Sequence, residues 1–180
     1  MNRNNVGIHR AKVLSMLGDV GCYDIAIGIL DKLESMGYFF MPASTKYHGT
    51  EEGDLFRHST CVAEILKDFT DRGLIEWENP RSPIVVGLFH DLCKCDNYFR
   101  RMDGAWDYNP NQILSGHGDK SVMIASTLMQ LTEEEMLCIR YHMGAYVKDD
   151  WNGYDQSIRK YSNVLWTHTA DMLASKVVGV

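Results

Sequence analysis

The stretch Ile84-Val85-Val86-Gly87-Leu88-Phe89-His90-Asp91-Leu92 sets an imidazole and a carboxylate directly on an apolar run in a chain of 180 residues. Such a run is built to be buried, and a buried carboxylate is costly unless it is paired or metal-bound. Whatever this chain folds into must therefore bring partners to Asp91. The bland alternative is a salt bridge or a helix-ending cap. Candidate partners lie on both sides: His58, His117, His142 and Asp171. The series recurs after about 25 to 32 residues, roughly one helix plus loop, so that successive helices of a bundle can each turn one ligand group inward. Neutral imidazoles suit Fe, Mn, Co, Ni or Zn, and a carboxylate can bridge two ions. Four histidines and two aspartates suffice for two half-sites that share Asp91.

Spacing supplies the scaffold for that series. Val13, Leu14, Leu17, Ile25, Ile29, Leu30 and Leu33 recur every three or four residues, which predicts one or two amphipathic helices before residue 36, punctuated by Gly18 and Gly21. Residues 37–53 carry turn chemistry and read as a loop. Leu55, His58, Val62, Ile65, Leu66 and Phe69 share one helical face, so His58 sits among core residues. Pro80 and Pro83 are expected to break the chain. The run from Ile84 to Leu92 fits strand or helix by period alone, and helix is preferred because no partner strand is evident. Residues 96–116 read as a long irregular segment rich in aromatic and basic groups, a length that is often functional. A helix is expected over Ser121–Leu131. Thr132-Glu133-Glu134-Glu135 reads as a capping box opening the helix that carries Met136, Ile139, Arg140 and His142. A second loop spans Gly144–Tyr154, and a last helix runs from about Ser157 to Val177. The expected fold class is all-α.

Composition narrows the function classes. The formal charge of −6 argues against a surface that coats nucleic acid, which needs a basic footprint. No stretch approaches the roughly 18 consecutive apolar residues of a membrane span, and Met1-Asn2-Arg3-Asn4-Asn5 lacks a signal-peptide core, so the expected location is cytoplasmic. Five irregularly spaced cysteines fit reduced thiols better than a disulfide framework. Cys93 and Cys95 lack the second pair that would complete a zinc knuckle.

Other residues join the site by position. Lys94 follows Asp91 by one helical turn, where its ammonium can reach a phosphate oxygen as a point charge. His48 precedes the first ligand in a loop and is a candidate substrate contact, with a solvated loop histidine as the alternative. Trp106 and Tyr108 are available to stack on a base. His168, three residues before Asp171, is expected behind the ligands or in the core rather than as a seventh ligand. His9 has no assigned role.

The order His58, His90-Asp91, Asp171 resembles the HD-domain metal-dependent phosphohydrolase superfamily, and the added His117 and His142 resemble its two-metal subset. His90-Asp91-Leu92-Cys93-Lys94 is similar to the HDxxK string of that family, and Ala170-Asp171 to its closing aspartate. The strings from Pro42 to Gly49 and from Gly116 to Ser121 resemble bacterial and phage members of unsettled substrate. The Gly-Tyr-Pro signature of the diguanylate phosphodiesterases is missing. The resemblance covers residues 42–175 and implies a helical bundle of about five core helices, with residues 1–41 as an N-terminal helical extension of one domain over 1–180. It implies that His58, His90, Asp91 and Asp171 hold one divalent ion and Asp91, His117 and His142 a second. It also implies that Asp91 and Lys94 are catalytic, and that the substrate is a nucleotide or small phosphorylated metabolite attacked by a metal-activated water.

Three other readings compete with phosphate-ester hydrolysis. A di-iron oxygenase on a similar scaffold is compatible with four histidines. A non-catalytic nucleotide-sensing module would keep the metal without turnover. Last, the histidines are structural and bind no metal at all.

Overall fold

Helix α1 (Arg3–Gly18) and helix α2 (Tyr23–Ser35) form a pair at the start of the chain, turned at the glycines that the sequence singles out. The computed structural model describes residues 3–46, 49–112, 114–146 and 150–180. His48 falls outside the described residues. Helix α2 buries Ala26, Ile29, Leu30 and Leu33, the expected three-and-four spacing. Helix α3 (Asp54–Asp71) buries Leu55, His58, Val62 and Leu66 on one face.

Helix α4 (Ser82–Phe89) is buried on every side, which is why its sequence is apolar all round. Pro83 does not break the chain as expected: it sits in the first turn of α4, where a missing N–H leaves no helical bond unmade. A tight turn after Phe89 carries His90 and Asp91 and leads into the single-turn α5 (Lys94–Asn97).

The segment 96–116 is not irregular throughout. Strands β1 (Tyr98–Arg100) and β2 (Trp106–Tyr108) pair antiparallel, with Tyr98 opposite Tyr108 and Arg100 opposite Trp106. Gly104, at φ 87°, supplies the left-handed residue of the connection, and Arg101 N–H donates to the Ala105 carbonyl at 2.8 Å. The buried Lys120 then ties the hairpin base to the bundle, donating to Asn97 Oδ1 at 2.8 Å and Gln112 Oε1 at 3.0 Å beside Asp96 at 2.6 Å.

Helix α6 (Gly118–Ser126) begins and ends earlier than its apolar period suggests. Leu128, Met129 and Leu131 stay buried in the turn that follows, so the apolar period outlasts the helix. Helix α7 (Glu133–Tyr141) opens on the expected capping box, with Glu135 N–H donating to Thr132 Oγ1 at 3.1 Å and Thr132 N–H to Glu135 Oε2 at 2.8 Å. Glu134 and Glu135, two of the three glutamates, do more than complement the helix dipole. Glu135 receives Arg81 Nε at 3.0 Å, and Glu134 receives the Asn163 amide at 2.7 Å.

The expected loop 144–154 and final helix 157–177 divide differently. A 3₁₀ turn (Gly144–Tyr146) precedes α8 (Trp151–Lys160), capped by Asp150 accepting from Gly153 N–H at 3.2 Å. The chain breaks at Tyr161, and α9 (Asn163–Leu173) runs on into a π-helical turn (Ala174–Val178).

The architecture is an all-α bundle in which α3 packs along α4, α9 packs on α3 and α7, and α7 packs on α4 and α6. Two glycines set the spacing at the crossings that matter. A Cβ on Gly87 would lie 2.3 Å from Ala63 Cα, and one on Gly118 would lie 1.9 Å from the Arg140 carbonyl oxygen. Both contacts are backbone on backbone, so only glycine lets these elements approach so closely. No described helix is long and apolar enough to cross a membrane.

Candidate metal centre

Five helices or the turns at their ends deliver six side chains to the same point. His58 comes from the second turn of α3, His90 and Asp91 from the turn that closes α4, His117 from the residue that precedes α6, His142 from the end of α7 and Asp171 from the last turn of α9. All six residues singled out by the sequence thus meet at Asp91. His58 Nε2 lies 3.5 Å and His90 Nε2 3.4 Å from Asp91 Oδ2, and His58 Nε2 is also 3.1 Å from Asp171 Oδ1. On the other oxygen, His117 Nε2 is 2.9 Å and His142 Nε2 3.5 Å from Oδ1. The carboxylate of Asp91 therefore separates two groups of imidazoles, one per oxygen.

The far side of each ring explains its orientation. His58 Nδ1 faces the Val180 main-chain oxygen at 3.1 Å, His90 Nδ1 the Gly87 carbonyl at 2.9 Å and His142 Nδ1 the Ile139 carbonyl at 2.7 Å. A main-chain oxygen only accepts, so each of these Nδ1 atoms carries a proton, and in the neutral ring Nε2 would turn its lone pair to the centre. That is the tautomer a metal-binding histidine needs, and outer partners of this kind also raise ligand basicity. His117 differs: its Nδ1 is 3.3 Å from Cys93 Sγ.

Ionisation follows from the same neighbours. Burial opposes a charge on Asp91, but Lys94 and the surrounding imidazoles outweigh it and hold the carboxyl well below the ordinary range. Lys94 Nζ donates to Asp91 Oδ2 at 2.5 Å, and despite its burial this pairing raises the lysine above its ordinary value. Burial likewise opposes the charge of Asp171, which the His58 contact and the cationic forms of His90 and His142 hold low. Burial pushes His90 and His117 down, toward the neutral ligand form.

Two buried atoms show that protein contacts alone leave the centre incomplete. Among the described residues Asp91 Oδ1 and His142 Nε2 make no hydrogen bond of ordinary geometry, although His117 Nε2 lies 2.9 Å from that oxygen, and an unsatisfied buried polar atom is rare in a folded protein. Four imidazoles and two carboxylates around those atoms fit a divalent transition metal. Two sets of donors, each mutually within 4.8 Å, share Asp91: one with His58 and His90, the other with Cys93 and His117.

The centre opens into a cavity of about 420 Å³. His58, Asp91, His117 and Asp171 line it, together with Lys46, Lys94 and Lys176, which bring positive charge, and the aromatic Tyr98, Tyr108 and Tyr146. Tyr108 is thus at the cavity as expected. Trp106 is not among its lining residues and lies instead beneath the Arg100 guanidinium at 5.7 Å. His168 stands behind the ligands, its Nδ1 2.8 Å from the His142 carbonyl, and His9 stacks on Phe56 with ring centroids 4.1 Å apart.

Sequence reasoning missed Cys93, Lys46, Lys176 and Tyr146. Lys46 lies inside the Pro42–Gly49 string, which was a usable signal. Lys176 had none, since the chain after Asp171 carries no motif. All five cysteines are unbridged.

No protein-family model and no solved structure matches the chain. Among curated proteins, the dihydroneopterin 2',3'-cyclic phosphate phosphodiesterase of Methanocaldococcus jannaschii is 36% identical over 70 residues, a stretch covering 37% of this chain. The matched stretch spans 28% of that relative's length. The match is thus a distant, partial one to a phosphodiesterase.

Proposed function

We propose that this chain is a metal-dependent phosphohydrolase of the HD superfamily, acting on a small phosphate ester, with a nucleotide as the leading substrate class. The observation that carries the reading is the convergence of four histidine Nε2 atoms on the two oxygens of one buried aspartate. The phosphodiesterase named by the partial relative points to the same reaction class. In this reading residues 1–180 form one domain, with residues 1–41 as its extension and 42–175 as its metal-binding core.

His58, His90, Asp91 and Asp171 would hold one divalent ion, and Asp91, His117 and His142 a second. A metal held there would supply a water acidified enough to attack near neutral pH and a clamp on phosphoryl oxygens. The chain's own groups do the rest. Lys94 keeps Asp91 ionised and places a cation in the cavity lining, where negative charge would grow on the phosphoryl group as the ester bond breaks. Lys46 and Lys176 attract an anionic substrate into the cavity, and Tyr108 offers a face to a base or pterin-like ring. A cytoplasmic location accompanies this reading as an expectation.

The test is a screen of purified protein reconstituted with Mn, Fe or Co against nucleotides, dinucleotides and 2',3'-cyclic phosphates. Release of phosphate or an opened phosphomonoester, abolished by Asp91→Ala, is the expected result. Activity undiminished by Asp91→Ala would sink the metal mechanism. Oxygen uptake without phosphate release would move the assignment to a di-iron oxygenase, and ligand-dependent thermal shifts without turnover to a sensing module.

A further inference from the structure

We infer that Cys93 is the positioning residue for His117: its sulfur accepts the Nδ1–H of that imidazole and thereby sets how tightly the Oδ1 side of Asp91 binds a second ion. The inference rests on the metal reading above and concerns a residue which that reading does not use. Among the four site imidazoles, three have their Nδ1 against a main-chain oxygen, whereas among the described residues His117 has Cys93 Sγ at 3.3 Å.

His117 is also the ring most in need of a partner. Its side chain is 32% exposed, while those of His58, His90 and His142 are at most 1% exposed, so packing alone does not fix its rotation. Cys93, by contrast, is fully buried, and its N–H donates to Ser121 Oγ at 3.1 Å. Ser121 lies on α6, the helix that His117 itself precedes. One helix therefore holds the imidazole and, through Ser121, the sulfur that orients it.

Sulfur is a weaker and softer acceptor than a carbonyl, which makes His117 the least firmly held of the four. With Nδ1–H directed to Cys93, Nε2 keeps its lone pair toward Asp91 Oδ1. Without that acceptor the ring is free to change tautomer and turn.

The experiment is a Co²⁺ titration of the full chain, followed by calorimetry and by electronic absorption, on wild type, Cys93→Ala and Cys93→Ser. Cys93→Ala is expected to keep the first ion and weaken the second by about 10- to 100-fold, the usual cost of losing an outer partner. Cys93→Ser, which retains an acceptor, is expected to restore most of that affinity. Cys93→Val fills a similar volume without an acceptor and reads the same loss should the alanine variant fail to fold. Wild-type affinity for both ions in an acceptor-free variant overturns the inference. So does a sulfur-to-cobalt charge-transfer band in wild type, which would make Cys93 a ligand itself. A wild type that binds a single ion removes the role assigned to Cys93 but leaves the hydrolase reading standing, whereas one that binds none overturns that reading first.

Discussion

The two sides of Asp91 are built to different standards. On the Oδ2 side, His58 and His90 are wholly buried, each oriented by a main-chain oxygen, and they come from α3 and the end of α4, which meet backbone to backbone at Ala63 and Gly87. On the Oδ1 side, His142 matches that standard but His117 does not, being partly exposed and oriented by a thiol. The difference teaches that a shared carboxylate does not make a symmetric site. One side is fixed by the core of the bundle, and the other rests in part on α6, a helix that also anchors the hairpin base through Lys120.

The comparison breaks entirely if Asp91 is neutralised. Asp91→Asn removes the charge that both sides share and leaves Lys94 buried beside a neutral amide. The expected loss of metal affinity exceeds the roughly 100-fold seen when only an outer partner is removed, and it should affect both ions in elemental analysis after dialysis. Retention of either ion at full occupancy would mean that the two sides do not depend on the same carboxylate.

The glycines separate the sides next. Gly87→Ala forces a Cβ into Ala63, and an overpacking cost of about 3 kcal/mol corresponds to a melting temperature lower by roughly 10 °C in a chain of this length. The first ion should weaken with it. Gly118→Ala meets the Arg140 carbonyl instead, so the second ion should be lost while the first persists. A Gly118→Ala protein that loses both ions to the same extent would show that the sides are not separable.

Chelation is a gentler probe. Removing an ion present at a hundredfold excess over its dissociation constant forfeits about 2.7 kcal/mol of stability, measurable as a lower melting temperature by scanning calorimetry and restored on adding metal back. No change with chelator would argue that the centre holds no ion in the folded state. The smallest effect is expected far from the centre. Thr132→Ala deletes the α7 cap at a cost of about 1 kcal/mol, lowering the melting temperature by a few degrees without altering metal content, and a change in metal content would place α7 closer to the centre's energetics than its cap suggests.

Much of the Oδ2 side was legible because it obeys local rules. A carboxylate on an apolar run must find partners, and His58 shared a helical face with Leu55, Val62 and Leu66 that is indeed buried. The helices up to α4 and the α7 cap were readable for the same reason, since spacing and capping chemistry are written in consecutive residues. The Oδ1 side was less so. Cys93 and His117 meet across 24 positions of sequence, and nothing local marks a thiol as the partner of a distant ring.

Two errors had usable cues. Asp103-Gly104 between aromatic strands is a hairpin signal, and Arg159-Lys160 followed by a break fits the end of a helix better than its interior. The helix expected over 121–131 ran long because buried leucines continue after the hydrogen bonding stops. That distinction lies beyond any hydrophobic pattern.

The contact between Gly87 and Ala63 fixes a length as well as a packing arrangement. Side chains that interdigitate can change rotamer and let helices drift, but two backbones in contact form a hard stop. His58 and His90 sit at opposite sides of that stop, so the separation of their nitrogens, 3.2 Å, is gauged by an absent methyl group. Any larger side chain at position 63 or 87 resets the gauge. A compensating substitution at the other position has nothing left to remove at 87 and a single methyl at 63, so this pair has almost no room to vary together.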